Sequence, residues 1–203
     1  EDDFKNLHPS PFGQGIYALS IISFLKKTYD NREGSSNKVT SYPEVNRMDI
    51  YSYDKGSLIS IEEAKLAKGW HIDPNWKPVD NKKTRPDFVN KPMLIGKAGA
   101  KSLKFKFKGN AVGIAVAAGH DAANISFRID KGEWRQLDLK TKWSDQLHLP
   151  WYYTLGSGLQ NTSHLLEIKV PNSINEDQNR KACRIRYFYV NQNVFPYKRI
   201  GIK

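Results

Sequence analysis

Between Lys101 and Asp130, apolar and polar positions alternate three times over. Leu103, Phe105 and Phe107 alternate with Lys104, Lys106 and Lys108. That is the period-2 signature of a strand with one buried and one wet face. Gly109-Asn110 supplies the turn chemistry of a tight hairpin. Val112, Ile114 and Val116 then alternate with Gly113, Ala115 and Ala117, a second strand with small residues on its other face. After the Gly119-His120-Asp121 break, Ile125, Phe127 and Ile129 alternate with Ser126, Arg128 and Asp130. The pattern predicts a three-strand meander at the centre of an antiparallel sandwich.

The same signal extends the sandwich in both directions. It begins near Met93-Leu94-Ile95 and continues through Glu133–Leu139, His164–Val170 and Ala182–Val190. Leu147–Tyr153 is mixed, and Pro150 restricts it to an edge or a loop. A polar loop, PNSINEDQNRK, separates the last two strands. About eight strands with frequent turn signals predict a mainly β, jelly-roll-like antiparallel sandwich over residues 91–203.

Residues 1–28 differ in character. His8-Pro9-Ser10-Pro11 leads into Ile16, Tyr17, Leu19, Ile21, Ile22, Phe24 and Leu25. Prolines just ahead of an apolar run suit a helix entrance, and Lys26-Lys27 suit its negative end. Apolar residues cover most of this helix's circumference, which predicts burial inside a larger α/β assembly. The polar, Gly/Ser/Asn-rich stretch that follows opens a linker and connecting region over 29–90. Within that region Met48–Tyr53 has strand character, Ile61–Lys68 suits a short helix or a strand-side extension, and Trp70 and Trp76 flank His71–Pro74.

Composition narrows the classes. Hydrophobic content of 39% in 203 residues is enough for a real core and excludes global disorder. The net charge of +11 would suit anionic glycans or nucleic acid. The lysines are spread along the polar sides of strands without a basic run, however, which argues against a nucleic-acid partner. The Gly15–Leu25 apolar run is too short for a membrane span. Cys183 stands alone, so no disulfide framework and no cysteine metal site is expected, and it reads as a small buried apolar residue. His71, His120, His148 and His164 lack HxH or HExxH spacing, so no metal and no cofactor is expected.

The candidate chemistry starts at His8. Prolines and Gly13 fix a loop just before a helix, holding the imidazole on the rigid mount that a general base requires. His8-Pro9, Gly13 and the helix after them resemble the last motif block of the SGNH (GDSL-type) esterases. Gly113-Ile114, Gly119, Asp121-Ala122, Ile129-Asp130, Asp138, Leu147–Pro150 and Cys183-Arg184-Ile185 resemble a β-sandwich appended C-terminally to some bacterial members.

The resemblance implies that residues 1–28 end an SGNH-type α/β/α domain and that His8 is the catalytic base. An aspartate normally precedes that histidine by three residues, where this chain has Lys5; Asp3 is the candidate partner, with Asn6 as the other polar choice. The nucleophile block, the oxyanion-hole blocks and any Gly-x-Ser-x-Gly elbow are absent from these residues, so the missing N-terminal catalytic portion of a parent chain is an expected partner. The implied activity is carboxylic ester hydrolysis through an acyl-serine, on an acylated carbohydrate or small ester, in a secreted or periplasmic setting. On the sandwich, Asp121 is a candidate acceptor for a sugar hydroxyl, the alternative being a turn former. Trp151 is the leading candidate among Trp134, Trp143, Trp151, Tyr152 and Tyr153 to stack on a sugar ring, where packing is the alternative. Those residues support the competing expectation of a non-catalytic carbohydrate-binding sandwich.

Overall fold

The computed structural model describes residues 8–30, 53–172 and 180–192. The chain divides into two compact units, residues 1–46 and 47–203. In the first, α1 spans Pro11–Asp30. Ser10 caps it, its Oγ accepting from the Gly13 amide at 3.1 Å, and Pro11 takes the first helical position. Gln14 Nε2 donates back to the Pro9 carbonyl at 3.0 Å, fixing the entry loop. Among its residues only Gly13 is buried, and Phe12, Leu19 and Phe24 are each more than 60% exposed. No described helix is long and apolar enough to cross a membrane.

The second unit is mainly β and antiparallel, two sheets face to face. Its strands are β1 (Gly56–Ile59), β2 (Trp70–Trp76), β3 (Lys91–Lys97), β4 (Leu103–Gly109), β5 (Ala111–Ala118), β6 (Asn124–Ile129), β7 (Arg135–Asp138), β8 (Leu149–Gly156), β9 (Thr162–Lys169) and β10 (Ala182–Asn191). One sheet runs β2-β3-β10-β5-β8, with β1 also paired to β10; the other runs β4-β9-β6-β7. Strand β10 is the long central member. Along one of its edges β3 pairs with Ala182–Ile185 and β1 with Phe188–Asn191, while β5 occupies the other edge.

The three strands do not form the expected meander. Strands β4, β5 and β6 are consecutive, but β5 belongs to one sheet and its two neighbours to the other. Gly109-Asn110 is therefore a crossing between sheets rather than a hairpin. Gly109 has φ +146°, and a Cβ there would stand 2.2 Å from the Asn191 carbonyl oxygen, so only glycine lets the chain pass the end of β10. The genuine local hairpin joins β6 to β7, through Asp130 and Lys131 at φ +51° and +61°.

The region read as connection also contributes strands. Trp70–Trp76 forms edge strand β2 despite Pro74, because its ladder to β3 is irregular between Asp73 and Trp76. Ile61–Glu63 is a single 3-10 turn whose cap, Ser60, accepts from the Glu62 amide. Pro150 is accommodated, as expected, because β8 is an edge strand. Of the earlier expectations, Asp3, Lys5, Asn6, most of the 29–52 stretch and the middle of the 171–181 loop lie outside the described residues.

Between the sheets lies the main core. Phe105 stacks on Phe188 with ring centroids 4.1 Å apart, surrounded by Leu94, Ile114, Ile125 and Leu166. Cys183 is fully buried there, and burial pushes its thiol up to about 12, so it is inert packing. A second, smaller cluster lies on the outward face of the β2-to-β8 sheet: Trp76, Phe88, Met93, Ala115, Ala117 and Tyr187. This outer layer is why both faces of β5 are buried along its whole length.

Candidate functional site

Beside the outer layer, strand register sets the floor of a groove. Across β2, β3 and β10, His71, Ile95 and Arg184 are register neighbours, while Leu94, Cys183 and Ile185 point into the core. The groove over this row has a volume of about 620 Å³. Trp76 and Asp80 reach it from β2 and the segment after it, His120 and Asp121 from the β5–β6 loop, and His148 from just ahead of β8.

Each of these side chains is held by identifiable contacts. Arg184 clamps Asp121 with two parallel bonds, Nη1 to Oδ1 at 2.7 Å and Nη2 to Oδ2 at 2.5 Å. This fork geometry is specific to guanidinium and carboxylate. The Asp121 carbonyl also accepts from the Lys181 and Ala182 amides, pinning the β5–β6 loop to the start of β10. The Arg184 guanidinium lies 5.5 Å from the Trp76 ring centre, close enough for a cation–π attraction.

Asp80 and His148 are brought together by two segments remote in sequence. The His148 amide donates to the Lys83 carbonyl, and Thr84 Oγ1 donates to the His148 carbonyl at 2.7 Å. The His148 Nε2 then lies 3.0 and 3.1 Å from the two oxygens of Asp80. His148 is 2% exposed, and Gly119 makes that position possible: a Cβ on Gly119 would stand 2.2 Å from His148 Nδ1. His120 completes the group, its Nδ1 3.1 Å from Asp80 Oδ2.

The electrostatics follow from burial and pairing. For Asp121, burial opposes ionisation, but Arg184 outweighs it and holds the carboxyl below its ordinary range. Asp80 is likewise held low: burial works against it, while His148 and the Lys82 amide favour the anion. Burial pushes His148 down despite Asp80, so its imidazole is neutral at pH 7. Chemically, the groove offers the Asp80 carboxylate flanked by two imidazoles, an ion pair over an indole, His71 and Asp73 from β2, and the cations Lys77, Lys97 and Lys181. No serine, threonine or cysteine lines it among the described residues, so it contains no side-chain nucleophile for acyl transfer.

The residues expected from sequence fall in three places. His8 lies in the first unit, exposed, two residues ahead of the α1 cap. Asp121 is in the groove, but any ligand meets it as half of an ion pair. Trp151 lies on β8, 38% exposed and tilted against Trp143 at 6.0 Å, and does not line the groove. Trp134 is covered by Arg128 at 4.5 Å and Lys169 at 4.0 Å, which leaves it as packing for two cations. The histidines read as scattered are not all scattered in space: His120 and His148 converge on Asp80. Asp80 carried no sequence signal, and Arg184 entered only with the Cys183-Arg184-Ile185 resemblance, because no local spacing links either to the histidines.

No protein-family model and no curated protein sequence matches this chain. Among solved structures, a two-domain esterase (CEX) active on acetylated mannans is similar at TM-score 0.63 and 14% identity, covering 92% of this chain and 48% of that one. The same esterase co-crystallised with mannopentaose gives TM-score 0.61 and 17% identity, with 95% and 49% covered. A family two carbohydrate esterase from Cellvibrio japonicus is more distant, at TM-score 0.46 and 11% identity, with 72% and 35% covered. This chain thus spans about half the length of the two-domain esterase it resembles. At such identities the likeness to the two-domain esterase establishes the fold alone.

Proposed function

We propose that this chain is the C-terminal part of an SGNH-type serine esterase that removes O-acetyl groups from carbohydrate, with the β-sandwich as its accessory domain. In this reading His8 is the general base, Asp3 orients it, and the serine and oxyanion donors come from the catalytic portion of the parent chain. By the same resemblance, the expected location is secreted or periplasmic.

The observation that carries the reading is the mounting of His8. Ser10, Pro11 and the Gln14 side chain fix the loop between His8 and α1, and the imidazole is exposed rather than sunk among apolar neighbours. The apolar circumference of α1 suits a helix packed within a larger α/β domain. The likeness to the mannan esterase adds support, since it covers 92% of the chain, more than the sandwich unit supplies alone. Chemically, His8 would take the serine proton during attack and return it to the leaving alcohol.

The test is hydrolysis of p-nitrophenyl acetate and acetylated mannan by the parent chain. His8→Ala is expected to lower kcat/KM by roughly a thousandfold or more, as loss of a triad base does elsewhere. A rate within twofold of the unaltered enzyme sinks the assignment.

A second reading is favoured by the groove itself: a non-catalytic carbohydrate-binding sandwich. An indole with converging carboxylate, imidazole and guanidinium groups is a common makeup for a small-ligand site. Retardation of this chain on a mannan affinity gel supports that reading, and migration identical to a non-binding control on every glycan tried removes it.

A further inference from the structure

We infer that Asp80, His120 and His148 bind a divalent cation of the Zn²⁺ class, with a fourth coordination position open to the groove. The three donors come from separate segments of the chain, and their ligand atoms all lie within 4.8 Å of one another. Asp80 is the hub: its Oδ2 lies 3.1 Å from both His148 Nε2 and His120 Nδ1. Tetrahedral ligands at ordinary Zn–N and Zn–O bond lengths stand about 3.3 Å apart, so two of the three edges are already near coordination spacing. The third edge, between the two imidazole nitrogens, is within 4.8 Å, and His120, the more exposed of the two histidines, is the ring with room to close it.

A second observation points the same way. His120 Nδ1 is buried and has no hydrogen-bond partner, because its approach to Asp80 lacks the alignment a hydrogen bond requires. A nitrogen that faces a carboxylate oxygen at 3.1 Å without such a bond is placed to share a cation with it. The charge also fits. Arg184 neutralises Asp121, so Asp80 leaves the triad with one net negative charge against a divalent ion. Two imidazoles and one carboxylate select Zn²⁺, Co²⁺ or Ni²⁺ over the oxygen-seeking Ca²⁺ and Mg²⁺. The His148 backbone bonds to Lys83 and Thr84 hold two of the donors in place before any metal arrives. The ion would tie the segment after β2, the β5–β6 loop and the entry of β8 to one point. Its open position faces the groove, where water or a ligand hydroxyl completes the tetrahedron.

The experiment uses the untagged 203-residue chain, stripped with a chelator and titrated with ZnCl₂ by calorimetry, then with CoCl₂ by visible spectroscopy. The expected result is one Zn²⁺ per chain, the d–d bands of tetrahedral Co²⁺, and no heat with CaCl₂ or MgCl₂. His120→Ala and Asp80→Asn are each expected to weaken Zn²⁺ binding by about tenfold or more and to abolish the Co²⁺ bands. His120 is partly exposed, so its alanine variant should keep the far-ultraviolet circular dichroism of the unaltered chain and decides the matter if Asp80→Asn does not fold. Absence of Zn²⁺ binding by the unaltered chain overturns the inference. So does Zn²⁺ binding of undiminished strength in His120→Ala.

Discussion

The two faces of the β2-to-β8 sheet are built from the same strands but do different things. Facing inward, Leu94, Ile114, Val116, Ile185 and Phe188 share one apolar core with Phe105, Ile125 and Leu166 from the opposite sheet. Facing outward, β5 presents Ala115 and Ala117, and the layer above is assembled from Trp76, Phe88 and Tyr187 on separate segments. Small side chains on the strand make room for that second layer. Along β10 the layer gives way between Tyr187 and Arg184, and charged residues take over. Burial holds the inward face together. Beside its smaller apolar cluster, the outward face adds pairwise polar contacts between segments, and that is why a groove with chemical character can form there.

The contrast predicts unequal consequences for two aromatic truncations. Phe105→Ala removes a fully buried ring stacked on Phe188 and should cost about 3–5 kcal/mol, since the surrounding sheets cannot close the void. Phe88→Ala, edge-on to Tyr152 and Tyr187 in a 3-10 turn, should cost roughly 1–2 kcal/mol less, because a turn relaxes into a cavity more readily than a sheet. Urea unfolding midpoints measure both. Equal losses would show that the outer layer is as rigid as the interior, and the distinction between the faces would fail.

The two faces were also unequally legible in the sequence. The alternation in 103–107 and 111–118 located β4 and β5, because each has one face in a dry core and period 2 records that directly. It did not say which sheet each strand joins. That depends on Gly109 slipping past the Asn191 carbonyl, a contact 82 residues away in the chain. Likewise Pro74 disguised β2, since the irregular ladder that tolerates it becomes visible only against β3. The groove was nearly silent for the same reason. Asp121 was singled out beside its Gly-His turn, whereas Asp80, His148 and Arg184 meet through register and loop anchoring, which leave no local spacing. The helix entrance after His8 was legible because its setting is local: two prolines, a serine cap and a helix within a few residues.

The sharpest test of the outward face is Arg184→Met, which keeps the length of the side chain and removes its charge. Asp121 is then left mostly buried without its partner, and a loss of about 2–3 kcal/mol is expected, below the full cost for a wholly buried pair because Asp121 retains some exposure. The effect has a pH signature. Arg184 holds the folded-state pKa of Asp121 below its ordinary 3.8, so the pair's contribution is complete above that value and disappears as pH falls through the lower, folded-state value. The stability gap between the unaltered chain and Arg184→Met should therefore be constant from neutral pH down to about 5 and narrow steadily below 4. Whatever remains at the acid end measures the guanidinium's packing over Trp76, a contact that does not titrate. A gap that stays the same from pH 7 to pH 3 would mean that Arg184 acts through packing alone, and the outward face would then be held as the inward one is.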